Sequence, residues 1–118
     1  MEKIVRQTLL FDFYGELLTE HQKSIYEDVI LNDMSYSEIA RLGGISRQGV
    51  YDMIKRCDRI LEDYEAKLKL VERFEGAKDK AARIKDSIIL MKKLNKDKNL
   101  DGIISDIETN TELLFEEF

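Results

Sequence analysis

Seven residues of the chain, Val50, Ile54, Cys57, Leu61, Tyr64, Leu68 and Val71, lie alternately four and three positions apart. Only a helix gathers that spacing into one stripe, because about 3.6 residues complete each turn. The spacing predicts a long helix from Ser46 to about Glu75, ending before Gly76, with an axis of roughly 45 Å at 1.5 Å per residue. An apolar stripe of that length has to be covered. Either later helices of the same chain cover it or a second copy does, and a homodimer is the expectation, formed through this stripe or through the last two helices. Proline, the residue that breaks helices, is absent from all 118 positions.

The rest of the chain has the same period. A first helix is predicted over residues 2–16, with Leu9, Leu10, Phe13 and Leu17 towards its end. Thr19 followed three places later by Gln22, and Ser35 followed by Glu38, have the form of capping boxes, in which hydroxyl and N3 side chain satisfy each other's backbone N–H groups. They open a second helix that stops at Asn32-Asp33 and a third that runs to about Leu42. After Gly76 come a helix with Ala77, Ala81, Ile84, Ile88 and Met91, a polar break over 95–99, and a last helix with Leu100, Ile103, Ile104, Ile107, Leu114 and Phe118. No stretch alternates with period two for the length of a strand. The predicted fold is all-α, with residues 1–60 as one body and 61–118 as a helical extension packing on it or on a second subunit.

Charge narrows the functional classes. Charged side chains make up 36% of the chain, against roughly 25% in an average soluble domain. The net charge is −5, so any nucleic-acid contact must come from a local patch. Residues 39–60 carry five basic and two acidic side chains, whereas 97–118 carry one basic and seven acidic. The longest apolar run, Ile88 to Met91, is far short of the roughly 20 residues of a membrane span. The N-terminal stretch lacks the apolar core of a signal peptide, and the single cysteine allows no internal disulfide. A cytoplasmic protein with no membrane contact is expected.

The richest segment runs from Ser37 to Arg56. A helix-turn-helix needs a small residue where two short helices cross, a glycine that tolerates positive φ in the turn, and an apolar residue dropped into the core from the second helix. Ala40, Gly44 and Val50 meet those needs, with Ile39, Ile45, Met53 and Ile54 completing the inner face. Ser46 is placed to cap the second helix, whose first N–H groups can face a phosphate. Arg47, Gln48, Tyr51, Asp52 and Lys55 then fall on the outer face. Arg and Gln are the residue types that pair bidentately with guanine and adenine in the major groove. Lys55, Arg56 and Arg59 suit phosphates. The expected nucleic-acid-binding residues are therefore Ser46, Arg47, Gln48, Tyr51, Lys55 and Arg56, with DNA as the first choice of ligand and RNA as the second.

Residues 18–60, from Leu18-Thr-Glu-His-Gln22 through the turn to Tyr51, resemble the promoter-reading region 4 of bacterial sigma factors. A broader resemblance begins with Gln-Thr-Leu-Leu-Phe-Asp-Phe-Tyr-Gly-Glu-Leu-Leu over 7–18 and includes Leu61-Glu-Asp-Tyr-Glu-Ala-Lys-Leu68. It is to the YlxM family of small bacterial helix-turn-helix proteins, and fades after about residue 90. That resemblance implies a regulatory role in the signal recognition particle pathway, with particle components as partners, and no enzyme activity. A protein-interaction module acting on the particle or its GTPase without reading DNA is the alternative.

Other candidate sites weigh less. Residues 97–108 fit a calcium loop, with Asp97, Asn99, Asp101 and Glu108 as ligands and Gly102 at the turn. Leu100 is apolar where such loops are small or polar, and no second hand exists to pair with, so no metal is expected. His21, the only histidine, cannot build a zinc site with one distant cysteine. Cys57 lies on the apolar stripe and reads as a buried thiol. No cofactor and no catalytic residue are expected.

Overall fold

The computed structural model describes residues 2–116. Six α-helices follow one another: α1 Lys3–Tyr14, α2 Glu20–Ile30, α3 Tyr36–Gly43, α4 Arg47–Leu68, α5 Leu70–Leu94 and α6 Asp101–Glu116. A 3-10 turn, Gly15–Leu17, links α1 to α2, and no strand occurs among the described residues. The fold is all-α, as the periodicity predicts. Position 118, expected to close the last apolar stripe, lies outside the described residues. The chain divides into two compact units, Met1–Val71 and Glu72–Phe118.

The first unit gathers α1 to α4 around a single core of Leu10, Phe11, Tyr14, Leu18, Ile25, Tyr26, Ile39, Val50, Ile54, Cys57, Leu61 and Val71. Both capping boxes are formed. Thr19 and Gln22 satisfy each other's backbone N–H groups at the start of α2, and Ser35 and Glu38 do so at the start of α3. α1 ends where Gly15 lets the Phe11 ring close over the backbone. A Cβ at Gly15 would stand 2.8 Å from that ring, which in turn packs on Tyr26 at 5.6 Å between centroids.

The long helix departs from expectation. The stripe of Val50, Ile54, Cys57 and Leu61 is buried within this unit, and Leu68 is exposed. The helix stops at Leu68 rather than near Glu75, because Lys69 takes a left-handed conformation (φ 56°). The cause lies 55 positions upstream in α1. The Tyr14 hydroxyl accepts from Leu70 N–H at 3.1 Å and donates to the Glu65 carboxylate at 2.5 Å, and the same carboxylate oxygen accepts from Val71 N–H at 3.0 Å. The first amides of α5, which have no acceptor inside the helix, are thereby satisfied by side chains of α1 and α4. Gly76, expected to end a helix, lies inside α5 with open space around its α-carbon. A lone glycine lowers helix propensity by about 1 kcal/mol, which is too little to break a helix by itself.

In the second unit the rest of α5 and α6 form an antiparallel hairpin. Lys85 pairs with Glu112 at 3.2 Å and Lys92 with Glu108 at 2.6 Å. Lys85 also sits over the Phe115 ring at 4.1 Å. Ala81, Ile88, Ile104 and Thr111 are the buried residues between the helices.

Candidate nucleic-acid interface

The helix-turn-helix is built from α3, the turn Gly44–Ser46 and α4. Gly44 is left-handed (φ 68°), the conformation that only glycine takes at little cost. Its N–H donates to the Ala40 carbonyl, closing α3. The Ser46 hydroxyl accepts from Gly49 N–H at 2.9 Å and so caps α4. Val50 and Ile54 are sealed in the core beneath. These constraints fix the first turns of α4 at the surface.

Among the predicted residues, Ser46, Arg47, Gln48, Tyr51 and Arg56 are exposed and Lys55 is half-buried. Tyr51 and Lys55 are brought together, and Arg56 lines a different hollow from Lys55. Tyr51 packs edge-on against Tyr36 of α3 at 6.1 Å, and Lys55 lies 5.4 Å above the Tyr51 ring. Gln48 donates from Nε2 to Asp52 Oδ1 at 2.9 Å. The bond leaves the Gln48 carbonyl and its second N–H unspent by that pairing, so the amide retains both functions needed at an adenine edge. Asp52, which on charge alone opposes binding, thus holds Gln48 in place.

Lys55 and Arg56, about 100° apart around α4, line different hollows. Arg56 lines a small hollow of about 200 Å³ with Gln22, Gly49, Asp52 and Met53. Lys55 lines a wider groove of about 510 Å³ between α1 and α4, with Lys3, Arg6, Asp58, Arg59 and Glu62 among its walls. Arg6 makes a two-pronged pair with Glu62 at 2.9 and 3.0 Å. Asp58 is spent on structure, accepting from Gln7 at 3.0 Å and from the Tyr26 hydroxyl at 2.6 Å. The place of Lys3 and Arg6 in this groove is not legible in the sequence, because nothing local shows that α1 lies against the middle of α4. The one usable signal was the basic character of 1–6 taken with the covered stripe of α4.

The remaining candidates are placed apart from this surface. Burial, and then the nearby Asp58 charge, push the Cys57 thiol up to about 11, so it is a neutral core group at ordinary pH. His21 is exposed. In the 97–108 segment the polar groups pair locally: Asn99 donates to Asp97, Asn95 donates to Asp101, and Glu108 pairs with Lys92. Among the described residues no group of three or more His, Cys, Asp or Glu side chains is arranged to hold a metal ion. No helix among them is long and apolar enough to cross a membrane.

Comparison with known proteins supplies the family. Residues 1–101 match the family described as "Putative helix-turn-helix protein, YlxM / p13 like". A protein of Thermoanaerobacter sp. is 45% identical over 107 residues, covering 91% of this chain and 92% of its own. Relatives from Geobacillus sp. and Clostridium acetobutylicum are 41% and 39% identical over 108 residues, each covering 92% of this chain and respectively 96% and 93% of their own. All three carry the name UPF0122 protein. With the match extending from the first residue through α5 and into the start of α6, this chain belongs to the YlxM/p13-like helix-turn-helix family.

Proposed function

We propose that the protein is a regulatory nucleic-acid-binding protein that reads duplex DNA with the first turns of α4, acts as a homodimer in the cytoplasm, and serves the signal recognition particle system. One observation carries the reading. The left-handed Gly44 and the Ser46 cap hold Arg47, Gln48 and Tyr51 outward at the N-terminal end of α4, while Val50 and Ile54 anchor it from below. A helix so presented fits a major groove. Lys55 and Arg56, about 100° apart around it, are placed to meet separate phosphates. The particle role rests on the family resemblance alone, and it fixes only where partners should be sought.

The test is a binding titration across salt on duplexes enriched by selection. Arg47→Ala is expected to cost about 1–3 kcal/mol and to relax preference at one base pair. Lys55→Ala and Arg56→Ala should weaken all sequences alike and each flatten the salt slope by about one unit. With a net charge of −5, affinity should be modest and steeply salt-dependent. If no duplex is enriched, or none of the three changes alters binding, the surface is not a DNA reader. Protein interaction with the particle or its GTPase is then the function to test.

A further inference from the structure

The α5–α6 hairpin has two unlike faces. One carries the ion pairs Lys85–Glu112 and Lys92–Glu108. At about 100° per residue, Ile84 and Leu94 of α5 and Ile103, Ile107 and Leu114 of α6 all turn to the other face, next to the buried positions Ile88, Ile104 and Thr111. These five residues expose between 36% and 69% of their surface. With Leu100 at the bend, 51% exposed, they form an exposed apolar face.

The geometry points to a second copy of this hairpin as the occupant, forming an antiparallel four-helix bundle whose two-fold axis runs along the helices. Two arguments select that partner. The first is charge. α5 carries seven basic and four acidic side chains, and α6 carries five acidic and none basic. An axis parallel to the helices sets each α5, with its excess of three basic groups, beside the partner's α6, with its excess of five acidic ones. The perpendicular arrangement would set α5 against α5 and the wholly acidic α6 against α6. The second is area. Six side chains so exposed offer roughly 500 Å² per copy, and two faces together reach the roughly 1,000 Å² that a specific interface requires. A lone two-helix hairpin has a one-sided core, and pairing of this kind is how such hairpins bury the other side.

This inference deepens the homodimer part of the proposed function and needs no nucleic acid. It adds a consequence where DNA is the ligand: a two-fold dimer carries two recognition helices, so its target should hold two inverted half-sites.

Light scattering of the full-length protein without nucleic acid tests it. The expected mass is twice the 13.8 kDa of the chain, falling to the single-chain value in the Leu94→Glu/Ile103→Glu variant, with tyrosine fluorescence of the first unit unchanged. Ile89→Lys, at an exposed site beside Glu108 and Glu112, should remain dimeric. For the axis, oxidation of a mixture of Ser87→Cys and Asn110→Cys chains should give a disulfide-linked pair that neither variant gives alone. A single-chain mass for the wild type at about 100 µM overturns the proposal, as does a double variant that stays dimeric. Cross-linking of Ser87→Cys to itself, without the mixed product, overturns the arrangement. A negative DNA titration leaves each of these readings intact.

Discussion

The corner between α4 and α5 rests on one phenol, and Tyr14→Phe isolates its contribution. The substitution keeps the ring, which stacks on Tyr64 at 6.0 Å, and removes only the oxygen. Two bonds go with it: the 2.5 Å donation to Glu65 and the 3.1 Å acceptance from Leu70 N–H. A hydrogen bond to a charged group contributes about 1.5–3 kcal/mol net. The Leu70 N–H bond is part-buried, and its loss adds at most about 1 kcal/mol. The expected loss is about 2–3 kcal/mol, or roughly 10–20 °C in Tm for a unit of this size. All five tyrosines lie within residues 1–71 and the chain has no tryptophan, so tyrosine fluorescence in a urea titration follows this unit alone. Glu65→Gln keeps an acceptor for Val71 N–H and should lose less, about 1 kcal/mol. Because the two side chains share one bond, the double variant should lose less than the sum of the singles. A loss below about 0.5 kcal/mol for Tyr14→Phe, or strict additivity, would show that this network does not hold the corner.

Two glycines should respond with opposite signs. Gly15→Ala drives a methyl into the Phe11 ring and should cost about 1–3 kcal/mol by overpacking, whereas Gly76→Ala, inside α5 with open space around it, should raise helix stability by about 0.5–1 kcal/mol; thermal melts by circular dichroism check both, and equal signs would contradict the local geometry. The protein should also lose stability in alkali. Burial raises the Cys57 thiol from 9.0 to about 11, and burial followed by the hydrogen bond to Asp58 raises the Tyr26 phenol well above 10. Acids whose pKa is raised on folding stabilise fully below their unfolded pKa and lose that contribution as pH climbs through the folded one. For Cys57 the window runs from pH 9 to about 11 and is worth on the order of 3 kcal/mol; Cys57→Ala should make the stability–pH curve visibly shallower there, and an unchanged slope would place the titration elsewhere.

The parts of the fold readable in advance are those set by short-range rules. Thr19 with Gln22 and Ser35 with Glu38 close rings of three residues, and the turn needs only Gly44, so these appear where the pattern puts them. The end of α4 was not readable, because its cause is a side chain of α1 more than 50 positions away. Glu65 looks like one more solvated acid on an acidic stretch, and only the approach of Tyr14 makes a buried carboxylate tolerable. The spacing marks the stripe from Val50 to Leu61 for burial but does not say by what: α1 to α3, which precede it, cover it, rather than later helices. The chain's own first unit encloses it, which moves any self-association surface to residues the stripe does not include.

The site shows the same division between residue type and arrangement. The exposure of Arg47, Gln48 and Tyr51 follows from the cap and the period, and is seen. What each does depends on neighbours that spacing cannot weigh. Asp52 is four residues from Gln48, one turn along the helix, which turns an unfavourable charge into a clamp on the amide. Lys55 is one residue from Arg56, about 100° round the helix, so adjacent letters face different grooves. In the proposed reading, the two cations meet separate phosphates. The salt slope should therefore fall by separate, additive steps when Lys55 and Arg56 are removed in turn, because the two cations share no wall of either groove.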